Sequence, residues 1–66
     1  MSDVKYSGCG RYVVETTHGY YHDEQWGYAA TSDNLEDAKK KVITFGTDYR
    51  VIENKTGNVV YTHPGL

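Results

Sequence analysis

The sequence predicts an α+β domain in the order ββ-α-ββ, with a four-stranded, mainly antiparallel sheet and one helix packed on one of its faces. Three observations carry this expectation. The stretch "SDNLEDAKKKVITFG" sets Leu35, Ala38, Val42 and Phe45 at helical spacing. The stretch "YRVIENKTGNVVY" holds two β-rich runs around a turn signal. On the other side of the helix, "RYVVETT" and "WGYAAT" form a second pair of β-rich runs. Strands that come in adjacent pairs close most simply as antiparallel hairpins, and a helix between them covers the sheet they build.

The size of the chain limits what it can do. Its 66 residues make one small domain, with residues 1–10 read as a flexible lead-in, 11–62 as the folded unit and 63–66 as a short tail. Chains this short bury little more than half of their unfolded surface and lean on disulfides, metals or oligomerisation. The single cysteine, Cys9, rules out an internal disulfide. Val, Ile, Leu and Phe together are scarce, and seven tyrosines and one tryptophan supply apolar area instead. A tyrosine buries its ring and keeps its hydroxyl wet, which suits a half-buried sheet.

A net charge of −2 argues against a general nucleic-acid binder. No run approaches a membrane span, and "MSDVKYSGCG" lacks the apolar centre of a signal peptide. A lone cysteine fits a reducing compartment, so a cytoplasmic protein is expected.

Each element has its own local signals. The β-rich run 11–17 opens strand one, and 26–31 is its partner strand. The preferred hairpin makes "HDEQ", residues 22–25, the turn, with Tyr21 facing Trp26 and Gly19 facing Tyr28. The competing register ends strand one at Thr17 and leaves 18–25 as a loop. The helix is expected over 33–45. Asp33 is the candidate N-cap, with Glu36 completing a capping box, and Ser32 is the alternative. Glu36–Lys40 and Asp37–Lys41 are pairs of favourable orientation, and Gly46 is the C-terminal stop. Leu35, Val42 and Phe45 should pack on the sheet. Strands three and four fall at 48–54 and 58–62, joined by "NKTG" with Gly57 left-handed, and Pro64 and Gly65 end the last strand. This layout resembles that of many small bacterial and phage domains, a likeness of pattern over about residues 11–62 that names no family and carries no function.

The densest chemistry lies in "THGYYHDEQWGY", residues 17–28. His18 and His22 precede Asp23 and Glu24, but on a strand residues four apart lie about 13 Å from each other, too far for one ion. No metal, cofactor or catalytic residue is therefore expected. Cys9, His18 and Asp23 are a nucleophile, a base and an acid, but a chain this short has little volume for a water-excluding cleft. Tyr20, Tyr21, Trp26 and Tyr28 are the candidate partner-binding residues. Alternation sends Tyr20 and Tyr21 to opposite faces, so not all four rings can reach one core unless a bulge intervenes. Tyr and Trp are enriched at binding hot spots.

The expected function is that of a small non-enzymatic module, accessory, regulatory or inhibitory, that binds another protein through the sheet face left open by the helix or through a sheet edge. A homodimer is a further expectation. Single-stranded nucleic acid is the alternative partner, since exposed rings can stack bases, but that mode needs a positive groove and the only cationic run is Lys39–Lys41. Small-ligand or metal binding ranks below both.

Overall fold

The computed structural model of the chain describes residues 4–17 and 26–65. The predicted fold class is what it shows. Strands β1 (Tyr12–Thr16) and β2 (Gly27–Ser32) come first, then helix α1 (Leu35–Phe45), then β3 (Tyr49–Glu53) and β4 (Val59–Thr62). They form one sheet in the order β2-β1-β3-β4, with every neighbouring pair antiparallel. The long connection through α1 places β3 beside β1, so the two central strands come one from each hairpin.

The helix cap falls one residue past Asp33 and two past Ser32, the candidates read from the sequence. Asn34 is the N-cap, and its Oδ1 accepts from the N–H groups of Glu36 at 2.8 Å and Asp37 at 3.2 Å. Asp33 is engaged elsewhere, because its carboxylate accepts the Arg11 N–H at 3.0 Å and fixes the entry to β1. Asn34 then supplies the orphan-donor partner that every helix start needs. Gly46 ends the helix at φ 132°, and its N–H returns to the Val42 carbonyl. Asp37 pairs with Lys41 as expected, at 3.0 Å, while Glu36 reaches Lys39 rather than Lys40, at 3.4 Å.

The "NKTG" turn closes as predicted, with Gly57 at φ 80° donating to the Glu53 carbonyl at 2.7 Å. Both outer strands slip register by one residue. Ala29 is the extra residue in β2 and Val60 the extra residue in β4. The pairing of β1 with β2 also corrects the preferred hairpin, because Tyr28 faces Glu15 and not Gly19, and Gly27 faces Thr16. That register accords with the competing reading, in which strand one ends near Thr17. The proposed turn at 22–25 lies outside the described residues.

The core has two layers. Under the helix, Val14, Val51, Ala38 and Val42 are fully buried, with Tyr12, Tyr49, Tyr61, Leu35, Ala29 and Ala30 around them. That Ala29 and Ala30 both pack here follows from the slip between them, since consecutive strand residues otherwise face opposite ways. Phe45 is not part of this core. It is 46% exposed and leans on the Tyr49 ring with centroids 5.1 Å apart. Phe45 is the last helical residue, and Tyr49, at the start of β3, occupies the space beneath it.

The opposite face is not open. Val13 and Ile52, which alternation sends there, are also fully buried. Residues 4–10, read from sequence as a loose lead-in, run across this face as a strap. Lys5 N–H donates to the Asn54 carbonyl at 2.8 Å and Tyr6 N–H to Asn54 Oδ1 at 2.8 Å. The Asn54 amide in turn donates to the carbonyls of Tyr6 at 2.9 Å and Gly10 at 3.0 Å.

Two residues on the same side of the helix differ in what their loss costs. Val42→Ala opens a cavity in a fully buried site and should cost about 2–3 kcal/mol, whereas Phe45→Ala at a half-exposed end should cost about 1 kcal/mol. Urea unfolding of both variants checks this, and the two costs should not change places.

Candidate functional site

Among the described residues, a cluster of buried charge lies on the strap side of the sheet. Its centre is Glu15, fully buried in the middle of β1. Three donors converge on its carboxylate. Lys5 Nζ lies 2.8 Å from Oε2, and the Tyr6 hydroxyl donates to the same oxygen at 2.6 Å. Arg50, directly across on β3, donates Nε at 3.0 Å and lies 2.9 Å away through Nη2, both at Oε1. A lone buried carboxylate is very costly, so these partners are a condition of the fold.

Burial by itself pushes the Glu15 pKa up. The hydrogen bonds from Lys5, Tyr6 and Arg50 outweigh it and hold the group below the ordinary carboxylate value. The Tyr6 phenol is pushed up to about 12, first by its own burial and then by its bond to the Glu15 carboxylate.

Around this centre sit the aromatic residues of the first hairpin. The register slip at Ala29 decides which face they take. Without it Tyr28 would stand opposite Thr16, on the helix side. With it Tyr28 stands opposite Glu15, on the strap side. Its ring meets Tyr6 with centroids 5.8 Å apart and it is 51% exposed. Trp26 shares that face and lies under the Arg50 guanidinium, whose central carbon is 4.2 Å from the ring centroid. Arg50 therefore holds Glu15 with its edge and Trp26 with its plane.

Of the four candidate binding residues, the structure brings Trp26 and Tyr28 together on one face. Tyr20 and Tyr21 lie outside the described residues, as do His18, His22, Asp23 and Glu24. Sequence reasoning missed Lys5, Tyr6, Glu15 and Arg50. The available signal was a glutamate at an inward position of the apolar run "YVVET", which demands a cation from somewhere in the chain. The lysine cluster behaves as a helix surface, with Lys39 near Glu36 and 5.3 Å from the Tyr61 ring centroid and Lys41 on Asp37.

Fold and site together define a strapped α+β domain with an aromatic and cationic sheet face. No family model, curated protein or solved structure was found to match the chain. No described helix is long and apolar enough to cross a membrane.

Glu15→Gln removes the charge that Lys5 and Arg50 neutralise. The cost should be about 2–3 kcal/mol, below the 3–5 typical of a fully buried pair because both cations reach solvent. Equilibrium unfolding in urea measures it.

The pH dependence follows from the two shifts. The Glu15 pKa is depressed on folding, so its stabilisation is present above the ordinary carboxylate range, roughly pH 4, and is lost as pH falls below it. The Tyr6 pKa is raised, so its stabilisation is whole below roughly pH 10 and is lost as pH climbs towards about 12. In a phenolate absorbance titration, the difference between wild type and Tyr6→Phe should fall at the alkaline end, near pH 12.

Proposed function

We propose that this protein is a small non-enzymatic binding module that docks another protein through the strap-side face of its sheet. Tyr28 is the centre of the contact, flanked by Trp26 and Arg50. A cytoplasmic setting accords with the single cysteine.

The observation that carries this reading is the position of Tyr28. Its ring is half exposed although a second ring, Tyr6, supports it from one side. A large ring held in place while its outer half meets water is pre-organised for contact, because little side-chain freedom remains to be lost on binding. Tyr, Trp and Arg, the types most enriched at hot spots, stand together here.

Two further observations support the reading. Both outer strands carry a register slip, the device by which sheet edges avoid pairing, so the face is favoured over strand addition at an edge. The perturbed groups, Glu15 and Tyr6, bond to each other and to Lys5 and Arg50, which suits a structural role better than a reactive one.

Tyr28→Ser should weaken partner binding by about 2 kcal/mol or more while moving the melting temperature little. The test is a pull-down with wild type and Tyr28→Ser as baits, followed by affinity and melting measurements with the recovered protein. Equal affinity for both baits would place the binding surface elsewhere. Selective NMR shifts of Trp26 and Tyr28 with a single-stranded oligonucleotide would favour the nucleic-acid reading.

A further inference from the structure

The strap meets the sheet as a bound peptide meets its receptor. Asn54 reads the backbone of two consecutive residues, accepting from the N–H groups of Lys5 and Tyr6 and donating to the Tyr6 carbonyl. Glu15 reads both side chains, taking the Lys5 ammonium and the Tyr6 hydroxyl on one oxygen. Tyr28 lies against the Tyr6 ring. This is backbone readout with two side-chain pockets, the logic by which extended peptides are recognised.

The joint between strap and body is short and glycine-dependent. Cys9 N–H closes a turn onto the Tyr6 carbonyl at 3.3 Å. Gly8 in that turn has φ 84°, a conformation that side chains other than Asn, Asp and Gly rarely adopt. Apart from Gly8 and its two chain neighbours, no atom of the described residues lies within 4 Å of where a Gly8 Cβ would stand. A side chain at position 8 therefore strains the turn without disturbing any packing.

We propose that Glu15, Asn54 and Tyr28 form a socket for an extended segment in which lysine is followed by tyrosine, and that the strap of a second copy of this chain fills it by exchange. Every strap-to-socket contact above is the same whether the strap comes from its own chain or from a partner copy. Only the turn at residues 6–9 distinguishes the two states, since it must fold back in the monomer and can extend in the exchanged pair. Exchange of an identical element is a low-cost route to a dimer, and it suits a domain too small to bury a large core.

The experiment is sedimentation equilibrium on full-length Gly8→Val, with Gly8→Asn as control and circular dichroism to follow the fold. Valine strains the folded-back turn, so dimerisation should strengthen about tenfold or more over wild type. Asparagine tolerates the left-handed turn and should behave as wild type does. Adding Lys5→Ala and Tyr6→Phe to Gly8→Val should return the chain to monomer. The proposal is overturned if folded Gly8→Val pairs no more than wild type or if Gly8→Asn pairs equally well. A dimer that survives the loss of Lys5 and Tyr6 contacts also overturns it, because that dimer uses another surface. So does a Gly8→Val chain that unfolds without pairing, because its strap then has no socket in trans.

Discussion

The structure depends on the burial of one carboxylate. Glu15 sits in a central strand with no access to water, and a charge in that position is tolerated only if donors surround it. Arg50 is supplied by the neighbouring strand and fixes the pairing of β1 with β3 from the strap side. Lys5 and Tyr6 must come from outside the sheet, and this draws the N-terminal segment across the second face. Buried ion clusters contribute little net stability compared with apolar residues of the same volume. A valine at position 15 could fill the space, but it would leave the strap held through its backbone at Asn54 with nothing to select the Lys5 and Tyr6 side chains. The carboxylate sets position, and apolar burial supplies most of the stability.

Asn54 completes the anchoring, and it works from a turn. Its side chain is almost fully buried and makes three hydrogen bonds, all to backbone groups of residues 6 and 10. Its own N–H donates to the Arg11 carbonyl and its carbonyl accepts from Lys5. One residue at the head of the β3–β4 connection thereby ties both ends of the strap. Asp33 adds a third tie at the entry to β1, and a Cβ at Gly10 would stand 2.5 Å from its carboxylate, so a larger residue there would have to displace that tie.

What could be read from the sequence is what local physics decides. The helix follows from the spacing of Leu35, Ala38 and Val42, and its end from Gly46. The second hairpin follows from "NKTG" with Gly57. The cap moved from Asp33 to Asn34 because Asp33 bonds across to β1, a contact 22 positions away that leaves no local pattern. The strap was hidden for the same reason, since its link to Asn54 spans 48 positions. Phe45 was misplaced because helical periodicity gives a direction and says nothing of where the sheet beneath comes to an end. On the site, Trp26 and Tyr28 were legible as residue types, whereas their shared face with Arg50 and Tyr6 was not.

The register slip at Ala29 joins the core to the candidate site. Strict alternation in β2 would turn Trp26 and Tyr28 towards the helix. The slip instead presents two alanines to the helix, and small residues let a helix approach a sheet closely. The core under α1 is then satisfied by Ala29, Ala30, Val14 and Val51, with tyrosines only at its margin. Two large rings are moved to a face where Glu15 has already brought in Arg50 and Tyr6. Trp26 is retained there by the guanidinium above it. Tyr28 buries only about half of its surface, so folding gains from it only part of what a fully buried ring would give. Phe45, leaning on Tyr49 at the end of the helix, is exposed to nearly the same degree, so what sets Tyr28 apart is its company, since Trp26 and Arg50 share its face.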